Sequence, residues 1–289
     1  MSLLSSIPSP TVSDFQLGPL TIHIYALCIL SGIVLATLIT DHRLVRRGAE
    51  RWVTLDIILW AIPIGIIAAR FYHVFTHPAD YFYAGANLWK VFAIWEGGNA
   101  IFGALIGGAV GAWIGCRMTG IRFWSFADAL APAMLVAQAT GRLGNYFNQE
   151  LFGDPTTLPW GLEIDYPNAA WPMGVEAGTL FHPTFLYELV WNLVGVVVII
   201  TLEKILYLRW GKAFGVYLIW YGIGRSFLEA MRLDPSEVIF GIRTNIWAAW
   251  IAIAVGIVII IVQSRRHPGR EQSVYRVGFP KVNLESATQ

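Results

Sequence analysis

The sequence predicts an all-α polytopic membrane protein with seven transmembrane helices, an N-terminus outside, a cytoplasmic C-terminus and a small external cap between helices 4 and 5. Three observations carry this. The 289 residues are 56% hydrophobic and only 13% charged, about half the charge of an average soluble domain. The deficit is concentrated: Ile22–Thr40, Val91–Cys116 and Thr244–Val262 include runs long enough for a hydrocarbon core about 30 Å thick, which takes about 20 residues to cross. Finally, Lys and Arg fall unevenly between alternate connections, the bias that sets orientation.

The spans are placed at 21–40, 54–75, 91–116, 123–140, 183–206, 213–231 and 244–262. One set of connections holds Arg43, Arg46, Arg47 and Arg51, then Arg117 and Arg122, then Lys204, Arg209 and Lys212, and last the tail from Arg265 to Lys281. The opposite set holds Lys90, Arg142, Arg232 and Arg243. Fourteen against four, in strict alternation, puts the first set in the cytoplasm. Residues 1–264 are thus read as the membrane domain and 265–289 as a polar, mobile cytoplasmic tail. Met1–Leu20 holds no Lys or Arg, so it reads as a short polar leader and not as a targeting segment. The net charge of +1 gives no reason to expect a nucleic-acid partner.

One connection is long. Residues 141–181 carry Pro155, Pro159, Pro167 and Pro172, and a loop above about 15 residues is usually functional or disordered. Trp160-Gly161-Leu162-Glu163-Ile164 alternates like a short strand, which favours a folded external cap. In span three, Gly103, Gly107, Gly111 and Gly115 recur at i+4; a smooth face for a neighbouring backbone is favoured over a groove for a lipid chain. Cys28 and Cys116 lie at different depths of different spans, so they are packing residues and form no disulfide.

Charges inside the spans are costly and mark sites. Arg70 falls near the outer end of span two, Arg142 directly after span four, and Glu188 about one and a half turns into span five. Arg225 lies about 9 Å below the external surface in span six, at 1.5 Å per residue, with Glu229 one turn on and Tyr25 near the outer end of span one. Three arginines, two glutamates and a tyrosine therefore share the outer-leaflet level, and Asp128 sits toward the cytoplasm. An ion path would distribute charge through the full depth or at the midplane. Arginine forks suit phosphate, so Arg142 and Arg225 form a candidate clamp for an outer-leaflet phospholipid. The structural alternative is simple ion pairing, Arg225 with Glu229 at i,i+4.

The segment Gly141-Arg142-Leu143-Gly144-Asn145-Tyr146-Phe147-Asn148-Gln149-Glu150-Leu151-Phe152-Gly153 resembles the signature of the bacterial inner-membrane prolipoprotein diacylglyceryl transferases, with Tyr146 where Phe is usual. The resemblance continues in family order through Leu17-Gly18-Pro19 with His23 and Tyr25, Trp95-Glu96-Gly97-Gly98, His182-Pro183 with Tyr187-Glu188, and Tyr221-Gly222 with Arg225. It implies transfer of the sn-1,2-diacylglyceryl group of phosphatidylglycerol to the lipobox cysteine of a prolipoprotein signal peptide, leaving a thioether and glycerol 1-phosphate. The implied partners are those two substrates and membrane lipids, with no cofactor and no metal. By resemblance, Arg142, Arg225 and Tyr25 are the catalytic residues. Arg142, Asn145, Asn148, Glu150, Gly153, Tyr221, Arg70, Glu188 and His182 are the substrate-binding set, with Glu150 orienting Arg142 or the asparagines.

One position departs from the family. Studied relatives carry a histidine, proposed as the base, where this chain has Phe102. Either the base is elsewhere, with His182, His23 and Glu188 as candidates, or the thiol, with an ordinary pKa of ~8.5, is acidified by the two arginines and needs no dedicated base. His73 and His77 read as interfacial. A lipid flippase or small-solute transporter is the alternative function, disfavoured by the nearly uncharged inner halves of the spans. An intramembrane protease lacks its pair: Asp128 has no intramembrane aspartate partner and Ser226 no histidine in register.

Overall fold

The computed structural model describes residues 6–234, 236–269 and 271–279. In chain order the elements are strands β1 (Asp14–Leu17) and β2 (Leu20–His23), then helices α1 (Ile24–Val45), α2 (Val53–Thr76), α3 (Ile101–Thr119), α4 (Phe123–Phe147), α5 (Thr184–Leu206) and α6 (Lys212–Glu229). Strands β3 (Val238–Ile239) and β4 (Ile242–Arg243) precede α7 (Thr244–Arg266). Five of the seven helices, α1, α2, α3, α5 and α7, are long and apolar enough to cross a membrane. α4 and α6 are the less apolar pair, carrying Asp128, Gln138, Arg142 and Asn145, and Arg225 and Glu229. The molecule is a helical, multi-pass membrane protein. It divides into two compact units, one of residues up to Ile39 with those from Ala127 to the end of α7, the other of Thr40–Phe126 with the segment from Glu271.

In the first unit, β1 and β2 form an antiparallel hairpin turned at Gly18, whose φ of +60° suits glycine. The sequence reading began span one at residue 21; the start belongs to this hairpin instead. α1 lies close to α4, Gly32 against the backbone of Ala137 and Gly144 under the ring of Tyr25. α4 extends to Phe147, so the Gly-Arg-Leu-Gly-Asn run is the last turns of a helix and not the start of a loop. Asp128, buried in α4, accepts from the backbone N–H groups of Gly211 (2.8 Å) and Phe214 (3.1 Å). It caps α6 at the end where the helix dipole favours an anion, a structural task. Ala131, Leu135, Ile199, Ala213 and Tyr217 form the core shared by α4, α5 and α6.

The 141–181 connection has its own core of Phe152, Leu162, Ile164 and Phe181. Leu162 pairs by single bridges with both Ile7 and Phe181, so the alternating segment is a bridged extended stretch and not a full strand.

In the second unit, α2 and α3 pack through the glycine face. A Cβ at Gly107 would stand 2.3 Å from that of Ala68, and one at Gly111 would stand 2.4 Å from the Trp60 carbonyl oxygen, so only glycine permits the approach. α3 begins ten residues later than the predicted span, because 3₁₀ turns at Leu88–Phe92 and Ile94–Glu96 precede it. The predicted mobile tail also needs correction: Val274 is 1% exposed, and residues 271–279 dock on the α3–α4 connection. Arg122 N–H donates to the Val274 carbonyl and Arg276 N–H to that of Gly120, both at 2.8 Å. The Tyr275 hydroxyl accepts from the Glu50 N–H at 2.9 Å.

Candidate active site

Three helices of the first unit meet at a small polar cavity. Its lining includes Gln138 and Arg142 from α4, Glu188, Trp191 and Asn192 from α5, and Tyr221 and Arg225 from α6. The cavity is narrow but not closed, and its free space, including the open mouth, is about 290 Å³.

Arg142 is the first anchor. Its Nε stands 2.6 Å from Glu188 Oε2, and its Nη1 donates to Asn145 Oδ1 at 3.0 Å. Asn145 in turn donates to Glu150 Oε1 at 2.9 Å, and Asn148 reaches the same oxygen at 3.4 Å. Arg142, Asn145 and Glu150 thus form one hydrogen-bonded chain. The turn that brings Glu150 back is unusual: Gln149 and Leu151 hold φ of +50° and +57°, a region uncommon for side chains of this kind. Asp165 and Thr184, the first residue of α5, hold the turn in place. Gln149 bonds the Asp165 carboxylate and N–H at 2.6 and 2.8 Å, and the Leu151 carbonyl accepts from the Thr184 hydroxyl.

Arg225 is the second anchor. Its Nη2 lies 2.8 Å from Oε2 of Glu229, which is fully buried. The same carboxylate takes Arg243 Nε at 3.0 Å and the Asn245 amide at 2.8 Å, with Arg232 Nη1 at 3.9 Å. Arg232 forks onto Asp234 at 2.7 and 2.9 Å. Burial acts to raise the Asp234 carboxyl, but the hydrogen bond and charge of Arg232, with Arg243, hold it below its ordinary value. Among the described residues, Arg142, Arg225, Arg232 and Arg243 are ion-paired with three carboxylates, Glu188, Glu229 and Asp234. A positive surplus remains at the cavity, which suits an anionic ligand.

The other expected residues fall in different places. Tyr25 packs its ring on Gly144. Gly153 is a crossing point: a Cβ there would meet His182 Cβ and the Met231 carbonyl oxygen, each at 2.9 Å. His182 Nδ1 lies 3.1 Å from the Tyr187 hydroxyl, which also accepts from Trp160 at 3.0 Å. His23 ends β2, exposed. Arg70 is held by backbone carbonyls of its own unit. It lies in the second unit, 3% exposed, donating to the carbonyls of Lys90, Val91 (2.9 Å), Gly97 (2.6 Å) and Gly98 (3.2 Å). It gathers the carbonyls of the turns before α3. Phe102, in the same unit, stacks obliquely near Tyr72.

The sequence reading did not find Gln138, Trp191 or Asn192. Asn192 follows Glu188 by four, and so shares its helix face; that spacing was the available signal. Trp191 and Trp220 clasp α5 to α6. Each indole N–H donates to the other's backbone carbonyl, at 3.2 and 3.1 Å, and the rings stack at 4.4 Å.

A multi-pass helical protein whose cavity is walled by two half-buried, carboxylate-braced arginines has a site suited to an anionic lipid or lipid-linked group. Residues 13–262 match the family model described as prolipoprotein diacylglyceryl transferase. Among similar proteins, the phosphatidylglycerol–prolipoprotein diacylglyceryl transferase of Leifsonia xyli subsp. xyli is 58% identical over 300 residues, covering 99% of this chain and 90% of the relative. Those of Bifidobacterium longum strain DJO10A (48%; 90% and 86% covered) and Mycobacteroides abscessus (45%; 96% and 83% covered) bear the same name. The chain belongs to the prolipoprotein diacylglyceryl transferase family. It is a transferase of lipoprotein maturation.

Proposed function

We propose that the cavity between α4, α5 and α6 is where the sn-1,2-diacylglyceryl group leaves phosphatidylglycerol for the lipobox cysteine of a prolipoprotein signal peptide. The observation that carries this is the joint presence of Arg142, Glu188, Tyr221 and Arg225 on one small cavity. The two guanidiniums take the donor's phosphate. The cysteine sulfur attacks the glycerol C3 carbon, the C3–O bond breaks, and its electron pair departs on the phosphate as glycerol 1-phosphate. Charge gathers on phosphate oxygens as that bond breaks, where preorganised donors act most strongly. Tyr25, Asn145, Asn148 and Gly153 shape the wall, and Glu150 holds Asn145 toward Arg142.

The thiol proton also has to go somewhere. Of the three candidate acceptors, Glu188 lines the cavity, whereas His182 is engaged with Tyr187 and His23 ends the β hairpin. The surplus positive charge acidifies the thiol, and Glu188 is the carboxylate placed to receive the proton.

The charge bias of the connections supports an N-terminus outside and a cytoplasmic C-terminus. In that orientation the cavity lies at the outer leaflet of the bacterial cytoplasmic membrane and residues 141–181 form an external cap. The test is incubation of purified protein with phosphatidylglycerol and a lipobox peptide. The peptide should gain the mass of one diacylglyceryl unit, and a peptide with serine for the cysteine should gain none. An unchanged cysteine peptide would overturn the reading.

A further inference from the structure

The cavity holds a polar group that phosphate recognition leaves unused. Asn192 is 6% exposed and lines the cavity, and its side-chain amide has no partner among the described residues. A nearly buried amide that opens onto a cavity and has no protein partner is available to bond a ligand there. Its neighbours define what kind. Gln138 donates its Nε2 to the Tyr217 hydroxyl at 2.8 Å, and on the cavity wall Asn192 is flanked by Trp191 of the tryptophan clasp. Trp191 is fixed against Gly224, where a Cβ would stand 2.1 Å from its Nε1. The Asn192 amide is therefore a neutral donor held at a rigid wall.

Its position is equally defined. Asn192 lies one turn past Glu188 on the same face, about 6 Å further along α5. Starting from a phosphate on Arg142 and Arg225, this offset is comparable to the separation between the phosphate and the first ester carbonyl of a diacylglycerophospholipid. A neutral N–H donor matches an uncharged carbonyl oxygen.

We infer that Asn192 is a specificity-determining residue that donates a hydrogen bond to an ester carbonyl of the diacylglyceryl group, so that the enzyme reads ester linkage as well as headgroup. The inference rests on the function proposed above. The carbonyl takes no part in the breaking C3–O bond, and its oxygen gains no charge as that bond breaks, so it is held alike before and during reaction. Its loss therefore raises KM and leaves kcat nearly unchanged.

The experiment compares two donors of equal chain length, phosphatidylglycerol with two ester-linked chains and phosphatidylglycerol with two ether-linked chains, each with a lipobox peptide. Wild type should favour the diester by several-fold to about tenfold in kcat/KM, the worth of one hydrogen bond, mostly through KM. In Asn192→Leu, which keeps the branching at Cγ but has no polar atoms, KM for the diester should rise by the same factor and the preference should fall to near one. Should that variant fail to fold, Asn192→Asp, which replaces the donor with acceptors, should show the same collapse. Equal use of both donors by wild type, or a preference unchanged in the variants, would overturn the inference while leaving the transferase reading intact. No product from either donor would overturn both.

Discussion

The Nε of Arg142 lies 2.6 Å from Oε2 of Glu188, and this contact ties α4 to α5 at the cavity wall. The carboxylate fixes the guanidinium's plane, while Asn145 takes a second N–H from the other edge. Removing one partner of a largely buried pair leaves the other uncompensated, at about 3–5 kcal/mol. Glu188→Gln should therefore lower the melting temperature in detergent and reduce turnover at least tenfold. A variant with wild-type turnover would remove Glu188 from both orientation and proton transfer.

Arg70 and Arg142 should respond differently to lysine. Arg70→Lys cannot serve the four carbonyls of residues 90, 91, 97 and 98, because an ammonium has three donors and no planar fork. We expect a lower melting temperature and less folded protein, with KM for phosphatidylglycerol in the folded fraction unchanged. A raised KM at unchanged stability would show instead that Arg70 binds substrate.

The tryptophan clasp gives a third expectation. In Gly224→Ala the new Cβ would stand 2.1 Å from Trp191 Nε1, so the indole must leave its place and lose its bond to the Trp220 carbonyl. Overpacking of this kind costs about 1–3 kcal/mol, and the displaced ring enters the cavity. Both thermal stability and kcat/KM should fall. Adding Trp191→Phe, which shortens the ring and removes the clashing atoms, should restore part of the stability.

Acid should weaken the Arg232–Asp234 fork. The folded carboxyl titrates below the ordinary aspartate value of about 3.9, because Arg232 and Arg243 outweigh the effect of burial. Its stabilisation is present above that ordinary value and is lost as pH falls through the depressed folded value. Melting temperature followed from about pH 5 to about pH 3 should drop less steeply in Asp234→Asn than in wild type. Parallel curves would show that the fork contributes nothing to folding.

Much of the architecture can be read from apolar runs and charge bias, because bilayer crossing constrains composition directly. The helical core of each span and the glycine face of α3 follow from period and residue size. The ends do not. Gly97 and Gly98, both at positive φ, stop α3 from starting where hydropathy alone would begin it, and the backbone there is held by Arg70 from a different helix. The docking of residues 271–279 is likewise invisible in a polar tail, since it rests on backbone pairing with residues 120–122. At the site, Arg142, Glu188 and Arg225 stand out because charge in an apolar span is costly. Asn192 and Gln138 carry no such flag, and Arg243 reads as an ordinary loop arginine until folding brings it 3.0 Å from Glu229.

The central claim is that Arg142 and Arg225 grip one phosphate from opposite walls. The most direct measurement is a double-mutant cycle in kcat/KM with phosphatidylglycerol for wild type, Arg142→Lys, Arg225→Lys and the double variant. Each single change should cost about 10²–10³. If both forks act on one group, the double variant should be little worse than the poorer single. Losses that multiply, or a single lysine variant that retains full activity, would contradict a shared phosphate.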